Sequence, residues 1–143
     1  MNITGRFILY LVLAILNGYI FNIFNDHFVK TGIDTFEKYS IIETIYLGVF
    51  VAPIVETFFF QFLLFKLLSK YFKVQNQTIC ILLMSFVFSQ FHWYHWLYVI
   101  MTFFSGLILN TFYIKLHGKN KYVFWITALL HALYNLYGIL FVQ

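Results

Sequence analysis

Long apolar segments, separated by short gaps that hold most of the charge, dominate this 143-residue chain. Hydrophobic residues make up 62% of the sequence and charged residues only 10%, so a soluble domain of this length would lack the interior to bury them. About 20 apolar residues span a bilayer as a helix, and most of the segments reach that length. The charged gaps predict segments at residues 7–24, 43–65, 79–93, 96–114 and 122–141. We therefore predict an all-α fold, a polytopic membrane bundle of about five transmembrane helices.

The positive charges are sorted along the chain, which gives an expected orientation. Arg6 precedes the first segment, and two lysine clusters, residues 66–73 and 115–121, follow the second and fourth segments, so all three fall on one side. The positive-inside rule makes that side the cytoplasm, with the N-terminus inside and the C-terminus outside. It also explains the net charge of +4, which in a soluble protein would suggest nucleic acid. We expect an integral protein of a bacterial cell membrane, whose partners include the lipid bilayer but no nucleic acid.

The first segment, residues 7–24, has an alternative interpretation. Arg6 before an apolar run also fits a secretory signal peptide, but Asn17 and Gly18 lie inside the run and no small-residue cleavage pattern follows it. We expect this segment to remain as the first transmembrane helix. No linker, repeat or low-complexity tract divides the chain, so residues 1–143 are predicted to form a single membrane domain.

Among the polar side chains inside the apolar segments, four are candidates for chemistry, namely Glu56, His92, His131 and Asn135. Ionisable groups in lipid are costly and usually mark a functional site. His131 and Asn135 are four residues apart and share a helix face, and so do Phe88 and His92. At about 1.5 Å of rise per residue, all four polar groups fall in a slab roughly 6 Å thick near mid-membrane. A lone buried histidine is more often structural, but two such faces and a carboxylate together predict a working site.

The second segment carries the only proline of the chain. Pro53 cannot donate to the carbonyl of Val49, so we expect a bend there and a carbonyl that needs another donor. Glu56, three residues beyond the bend, would then face a polar cavity. The alternative is a kink used only for packing, with Glu56 neutral and hydrogen-bonded.

These residues and their neighbours resemble the motifs of a known family. The matching positions are Ala52-Pro53-Ile54-Val55-Glu56, Phe60, Phe88-x-x-x-His92, Phe104-x-Gly106 and His131-x-x-x-Asn135. In this order and spacing they resemble the CAAX-protease and bacteriocin-processing (CPBP) intramembrane endopeptidases, over about residues 43–142. The resemblance implies that Glu56 with His92 activates the attacking water and that His131 with Asn135 stabilises the oxyanion. It also implies a catalytic core at 43–142 and a peptide or membrane-protein substrate.

The first motif of that family is altered here. The family usually has E-E-x-x-x-R, whereas Thr57 stands at the position of the second Glu and Gln61 at that of the Arg. Residues four apart are neighbours on a helix, so the charged pair of the family could be a structural ion bridge. This chain replaces both charges with a neutral pair that can still hydrogen-bond, and it keeps Glu56. We therefore expect Thr57 and Gln61 to substitute for the ion bridge.

Two mechanisms and two other functions fit the same residues. Peptide hydrolysis needs a base for water and a donor for the oxyanion, which Glu56 and the histidines can supply without a cofactor. Alternatively, Glu56, His92 and His131 could bind Zn²⁺, but such sites need a separate carboxylate as base, so we favour the metal-free mechanism. The other functions are a non-catalytic family member, acting in peptide binding or bacteriocin immunity, and a proton-relay subunit of a transporter.

Overall fold

The computed structural model of the chain describes residues 2–30 and 39–141. Regular structure in these residues is helical throughout. It comprises five helices: α1 (Ile3–Val29), α2 (Ile41–Tyr71), α3 (Gln77–Gln90), α4 (Trp96–Leu116) and α5 (Val123–Phe141). Four of them are long and apolar enough to cross a membrane, and α3, with 14 residues, is shorter. The predicted all-α membrane bundle is confirmed.

The outward faces of the helices carry large apolar side chains that a water-soluble protein would bury. Examples from the five helices in turn are Ile20, Ile42, Phe86, Ile100 and Leu140, which are all exposed. A continuous apolar surface of this kind fits the hydrocarbon of a bilayer rather than water. The chain is therefore an integral membrane protein.

Capping groups set the helix ends, and α1 and α2 extend at both ends beyond the boundaries predicted from charge, whereas α3 ends at Gln90, before the predicted residue 93. The α1 helix begins after Asn2, whose side chain accepts from the Gly5 N–H at 2.8 Å, and it therefore contains Arg6. The α2 helix begins at a capping box in which Ser40 and Glu43 each bond the other's backbone N–H. It continues through Lys66, because a long Lys side chain can extend to the polar interface while its backbone stays helical.

The backbone of α2 is not a regular α-helix. Wide π-helical turns at Tyr46–Val51 and Thr57–Leu63 flank a short α-helical stretch, Ala52–Glu56. In the first of these turns the Ala52 N–H donates to Leu47, five residues back, so an N–H at position 53 would face Gly48. Pro53 therefore deprives the Gly48 carbonyl of a donor, and not the Val49 carbonyl that a regular α-helix predicts. Single π-helical turns of this kind are frequent at functional sites.

The α4 helix lies at the centre of the bundle, against α1, α3 and α5. Its approach to α3 is close at Gly106, where an added Cβ would lie 3.1 Å from the Ser85 Cα, so a larger residue would force the helices apart. The α1 helix docks through Asn17, whose amide donates to the Met101 carbonyl at 3.1 Å, and through Gly18, which packs against the Tyr134 ring. The α2 helix packs mainly against α5. This arrangement brings the middle of α2 beside α3 and α5.

The three basic regions meet at one end of the bundle. The start of α1 lies beside the end of α4, since the Phe7 and Phe112 rings are 6.2 Å apart and the Lys115 Nζ lies 5.8 Å from the Tyr10 ring. The end of α2 also lies beside the end of α4, through Phe65 and its neighbours there. The charge segregation used to predict the orientation is therefore present in three dimensions.

Candidate active site

Glu56 ends the short α-helical stretch of α2 and points toward α3 and α5. Its side chain is 21% exposed. The Oε2 atom lies 3.5 Å from His92 Nε2 and 3.6 Å from His131 Nε2. Three of the four residues selected from the sequence therefore meet at a single carboxylate oxygen, although they come from positions up to 75 residues apart in the chain.

His92 reaches this carboxylate from the turn that follows α3. The α3 helix ends at Gln90, so His92 is not on its last face as the sequence predicted. The backbone N–H of His92 donates to Ser89 at 3.1 Å, and its Nδ1 lies 2.8 Å from the Phe88 carbonyl oxygen. The Phe88 and His92 rings still contact each other, with centroids 4.5 Å apart. The predicted proximity of these two residues is thus present, but a turn and not a helix produces it.

The contact with Phe88 fixes the tautomer of neutral His92. A carbonyl oxygen only accepts, so Nδ1 carries the hydrogen and Nε2 presents its lone pair to Glu56 Oε2. A lone pair and a carboxylate oxygen repel each other unless a proton lies between them. The arrangement therefore requires a proton that His92 and Glu56 share, which is the condition for passing one to and from a substrate.

His131 is the most buried member of the cluster, with only 4% of its side chain exposed. It lies on α5, and its ring packs near Phe88, with centroids 6.0 Å apart. Its Nδ1 is buried and has no hydrogen-bond partner among the residues that the structure describes. A buried ring nitrogen without a partner is destabilising, so the residue is poorly explained by packing alone.

Asn135 lies one turn beyond His131 on α5 and meets α2 at a different point. Its Nδ2 donates to the Gly48 carbonyl oxygen at 2.8 Å. This is the carbonyl that Pro53 leaves without a backbone donor, so Asn135 supplies the missing hydrogen bond. An amide nitrogen has two hydrogens, and the second remains for another acceptor.

Asn135→Ala is expected to destabilise the protein by about 1–3 kcal/mol, because it leaves the buried Gly48 carbonyl unpaired. Adding Pro53→Ala restores a backbone N–H at the position that faces Gly48, so the double variant should regain most of that stability. Thermal unfolding of the purified variants in detergent would measure both changes. If Pro53→Ala does not rescue Asn135→Ala, the register assigned to the wide turn is wrong.

Thr57 and Gln61 are both fully buried, but they do not form the expected pair. The Gln61 Nε2 donates to Asn110 Oδ1 at 3.1 Å, and Asn110 Nδ2 donates to Ser85 Oγ at 3.0 Å. This chain of hydrogen bonds connects α2 to α4 and α3. The Thr57 hydroxyl and Gln61 Oε1 have no partner among the described residues. Gln61 therefore bonds across the bundle to α4 and not along its own helix to Thr57.

Tyr98 is a residue of this region that sequence reasoning assigned elsewhere. The sequence alone favours an interfacial position for Tyr98 together with Trp93, Tyr94 and Trp96, because amphipathic aromatic rings collect at the membrane surface, and those three are indeed exposed. Tyr98 is half-buried, its ring centroid lies 6.1 Å from that of His92, and it is within electrostatic range of Glu56. Tyr98 lies near the start of α4, directly after the turn that carries His92, and this short separation in sequence could have indicated that it lies near the site.

The remaining histidines have other environments. His95 caps the start of α4 by accepting from the Leu97 N–H at 3.3 Å, and exposed His27 contacts the Ile23 carbonyl oxygen at 2.9 Å. His117 caps the end of α4. All three lie outside the apolar segments predicted from the sequence, so the sequence did not place them in the site.

Comparison with known proteins supports the resemblance drawn from the motifs. The family model described as type II CAAX prenyl endopeptidase, Rce1-like, matches residues 39–137. The chain belongs to this Rce1-like family. The match covers α2 to most of α5, which contain every residue of the site, and the family is one of CAAX-type proteases. No match was found among curated proteins or among solved structures.

Proposed function

We propose that this Rce1-like chain is an intramembrane endopeptidase that hydrolyses a peptide bond with water activated by Glu56 and His92. The observation that carries the proposal is the convergence of two imidazole Nε2 atoms on the Glu56 Oε2 atom at 3.5 and 3.6 Å. A half-buried carboxylate held between two proton carriers is suited to general acid–base work. If Glu56 served only in packing, it would not need a histidine on either side.

In the first step of the proposed reaction, Glu56 accepts a proton from water as the water oxygen attacks the peptide carbonyl carbon. His92 keeps Glu56 ready by exchanging a proton with it through Nε2, while the Phe88 carbonyl fixes the ring through Nδ1. The carbonyl oxygen of the substrate becomes an oxyanion in this step. That charge needs hydrogen-bond donors already in place.

His131 and Asn135 are the proposed donors to the oxyanion. The Asn135 amide retains a second hydrogen after it bonds Gly48, and the buried His131 has a ring nitrogen without another use. In the last step the proton on Glu56 passes to the departing amide nitrogen, the C–N bond breaks, and the carboxylate is restored. The net reaction adds one water molecule across the peptide bond and leaves the enzyme unchanged.

The proposed substrate is a peptide or a segment of a membrane protein. Residues 43–142 form the proposed catalytic core. Glu56 lies on a helix long and apolar enough to cross a membrane, so we expect a substrate to reach it from the bilayer or its surface. The non-catalytic alternative, peptide binding or bacteriocin immunity, predicts that biological activity survives Glu56→Gln. The proton-relay transporter predicts flux in proteoliposomes that Glu56→Gln removes.

Quantitative proteomics of membrane fractions tests the proposal and searches for the substrate together. Cells carrying the wild type and cells carrying Glu56→Gln, at matched expression, are compared for new peptide termini. The proposal expects a small set of termini present only with the wild type. Identical sets of termini, together with an unchanged phenotype, would favour the non-catalytic alternative.

The metal-free mechanism makes a separate prediction. A set of two histidines and one carboxylate is chemically suited to zinc, but Glu56 would then be a ligand, and no other carboxylate in the described part of the chain contacts the two histidines to act as base. Purified active protein is therefore expected to contain well under one zinc per chain and to keep its activity in chelator. Metal analysis by mass spectrometry checks this, and stoichiometric zinc that disappears in His131→Ala would favour the zinc alternative.

The proposed orientation is open to labelling. Cys80 is buried, so the native chain should react poorly with an impermeant thiol reagent. In intact cells Lys119→Cys, at the basic end, should be protected and Asp26→Cys, at the opposite end, should react; both positions are exposed to solvent or lipid headgroups. Asp34, which like Asp26 lies between the first two apolar segments, is outside the described residues. Labelling of Lys119→Cys from outside would invert the orientation.

A further inference from the structure

An open cavity of about 370 Å³ lies at the basic end of the bundle, between the end of α2 and the end of α4. It is separate from Glu56, since its first residue on α2 is Phe62 and the others lie further along the helix. Its polar groups come from Lys66, Lys70 and His117, and its walls from aromatic residues. The proposed reaction uses none of these side chains.

The aromatic walls of this cavity are held by mutual contacts. The Phe65 ring lies 4.8 Å from the His117 ring and 6.0 Å from the buried Tyr113 ring, and it is edge-on to both. The Lys66 Nζ lies 5.9 Å from the centroid of the Phe62 ring, so the ammonium is held beside an apolar surface. Ser69 donates its hydroxyl hydrogen to the Phe65 carbonyl at 2.7 Å. With the Ser69 hydroxyl bound in this way, the two lysines are the charged donors that face the cavity.

The positive charge around the cavity is not balanced by nearby acidic residues of the same part of the sequence. No Asp or Glu occurs after Glu56, whereas six lysines do. Lys66 and Lys70 are one turn apart on α2, and neither forms a salt bridge with any residue in the described part of the chain. Two adjacent ammonium groups without a counter-ion favour an anionic ligand between them.

We propose that this cavity binds the phosphate headgroup of an anionic phospholipid. The apolar half of the cavity argues for a lipid, since a free phosphate ion has no use for aromatic walls. Phe62 continues into the exposed, lipid-facing side of α2 with Phe58 and Phe59, along which an acyl chain can lie. Basic pockets between helices at the membrane surface are known to bind anionic headgroups. The site therefore joins α2, which carries Glu56, to α4 through a lipid.

The test compares two double variants of the full-length protein in detergent. Lys66→Gln/Lys70→Gln removes the two cavity charges, and Lys119→Gln/Lys121→Gln removes the same charge from the same end of the bundle outside the cavity. Native mass spectrometry, with dioleoyl phosphatidylglycerol or phosphatidylcholine added, measures lipid retained per chain. We expect one tightly held phosphatidylglycerol on the wild type and on the control variant. The affinity of the cavity variant should fall by roughly 30-fold, given the usual contribution of each lysine to binding an anionic surface.

Each other result has a defined meaning. An equal loss in both double variants would show general attraction to the basic end and overturn the site. Retention of phosphatidylcholine as strong as that of phosphatidylglycerol would overturn the role of charge. Inorganic phosphate that displaces the lipid at similar concentration would overturn the lipid assignment in favour of a free anion. Lys66→Arg/Lys70→Arg, which keeps the charges, should bind phosphatidylglycerol as the wild type does, and its failure to bind while folded would also reject the proposal.

Discussion

Purified Glu56→Gln protein is expected to hydrolyse peptide at least about 100-fold more slowly than the wild type, because an amide cannot accept the proton of the attacking water. The side chain keeps its volume and remains half-buried between the two imidazoles, so yield and thermal stability should change little. The measurement is the initial rate of cleavage of a substrate found by proteomics, in detergent and in liposomes. A variant that is stable but no longer cleaves peptide would show that Glu56 is needed for catalysis and not for folding.

The chain offers a matched control for this substitution in Glu43→Gln. Glu43 is exposed at the start of α2, on the same helix as Glu56, and it completes a capping box in which Gln is also acceptable. We expect its rate and stability to equal those of the wild type. Cleavage by Glu56→Gln at the control rate would eliminate Glu56 as the base and, with it, the proposed mechanism.

Gln61→Arg is expected to lower the folding equilibrium constant by roughly 100-fold, because a charge placed inside a membrane helix costs about 2.5–3.5 kcal/mol. The side chain is fully buried, and the substitution also removes the bond that Gln61 donates to Asn110. Gln61→Met, which has similar volume and no charge, is the control. It should cost only about 1–3 kcal/mol for the lost hydrogen bond. Folded yield by size-exclusion chromatography, and thermal unfolding where the yield allows, measure the difference.

Thr57→Glu should rescue Gln61→Arg, since both positions are buried together and a carboxylate would neutralise the guanidinium. Thr57 makes no hydrogen bond through its hydroxyl among the described residues, so little is lost by replacing it. A double variant that folds and cleaves like the wild type would indicate that the charged Glu and Arg pair of the family has a structural role. One that folds and cleaves much faster would show that the second carboxylate takes part in substrate handling. A double variant no better than Gln61→Arg would mean that the two side chains do not meet.

The sequence was most informative where a physical rule acts over one segment. Helix number and type followed from apolar length alone, and the clustering of Glu56, His92 and His131 followed from the cost of placing such groups in lipid. The exact helix ends did not follow, because caps such as Asn2 and the capping box at Ser40 decide them, while charge only marks the polar interface.

The partners of polar side chains across the bundle were not predictable from the same rules. Gln61 had a plausible partner four residues away, but Asn110 on α4 is the one it bonds. Pro53 predicted a carbonyl without a backbone donor. Because of the wide turn, that carbonyl belongs to Gly48 and not to Val49, and the Asn135 side chain donates to it. Both outcomes depend on how helices pack side by side and on turns that depart from the regular α-helix, and a single sequence specifies neither directly.

The shortness of α3 bears on where a peptide bond can be cut. Fourteen residues at about 1.5 Å each give a helix of roughly 21 Å, some 9 Å less than the hydrocarbon thickness of a typical bilayer. A bilayer meets such a mismatch by thinning, and polar headgroups and water then descend toward the helix end. His92 lies just past that end, so such a depression would let solvent reach Glu56 without a channel through the bundle. The susceptible bond of a substrate would then lie near the membrane surface, at the foot of this depression, and not in the mid-membrane slab expected from the sequence.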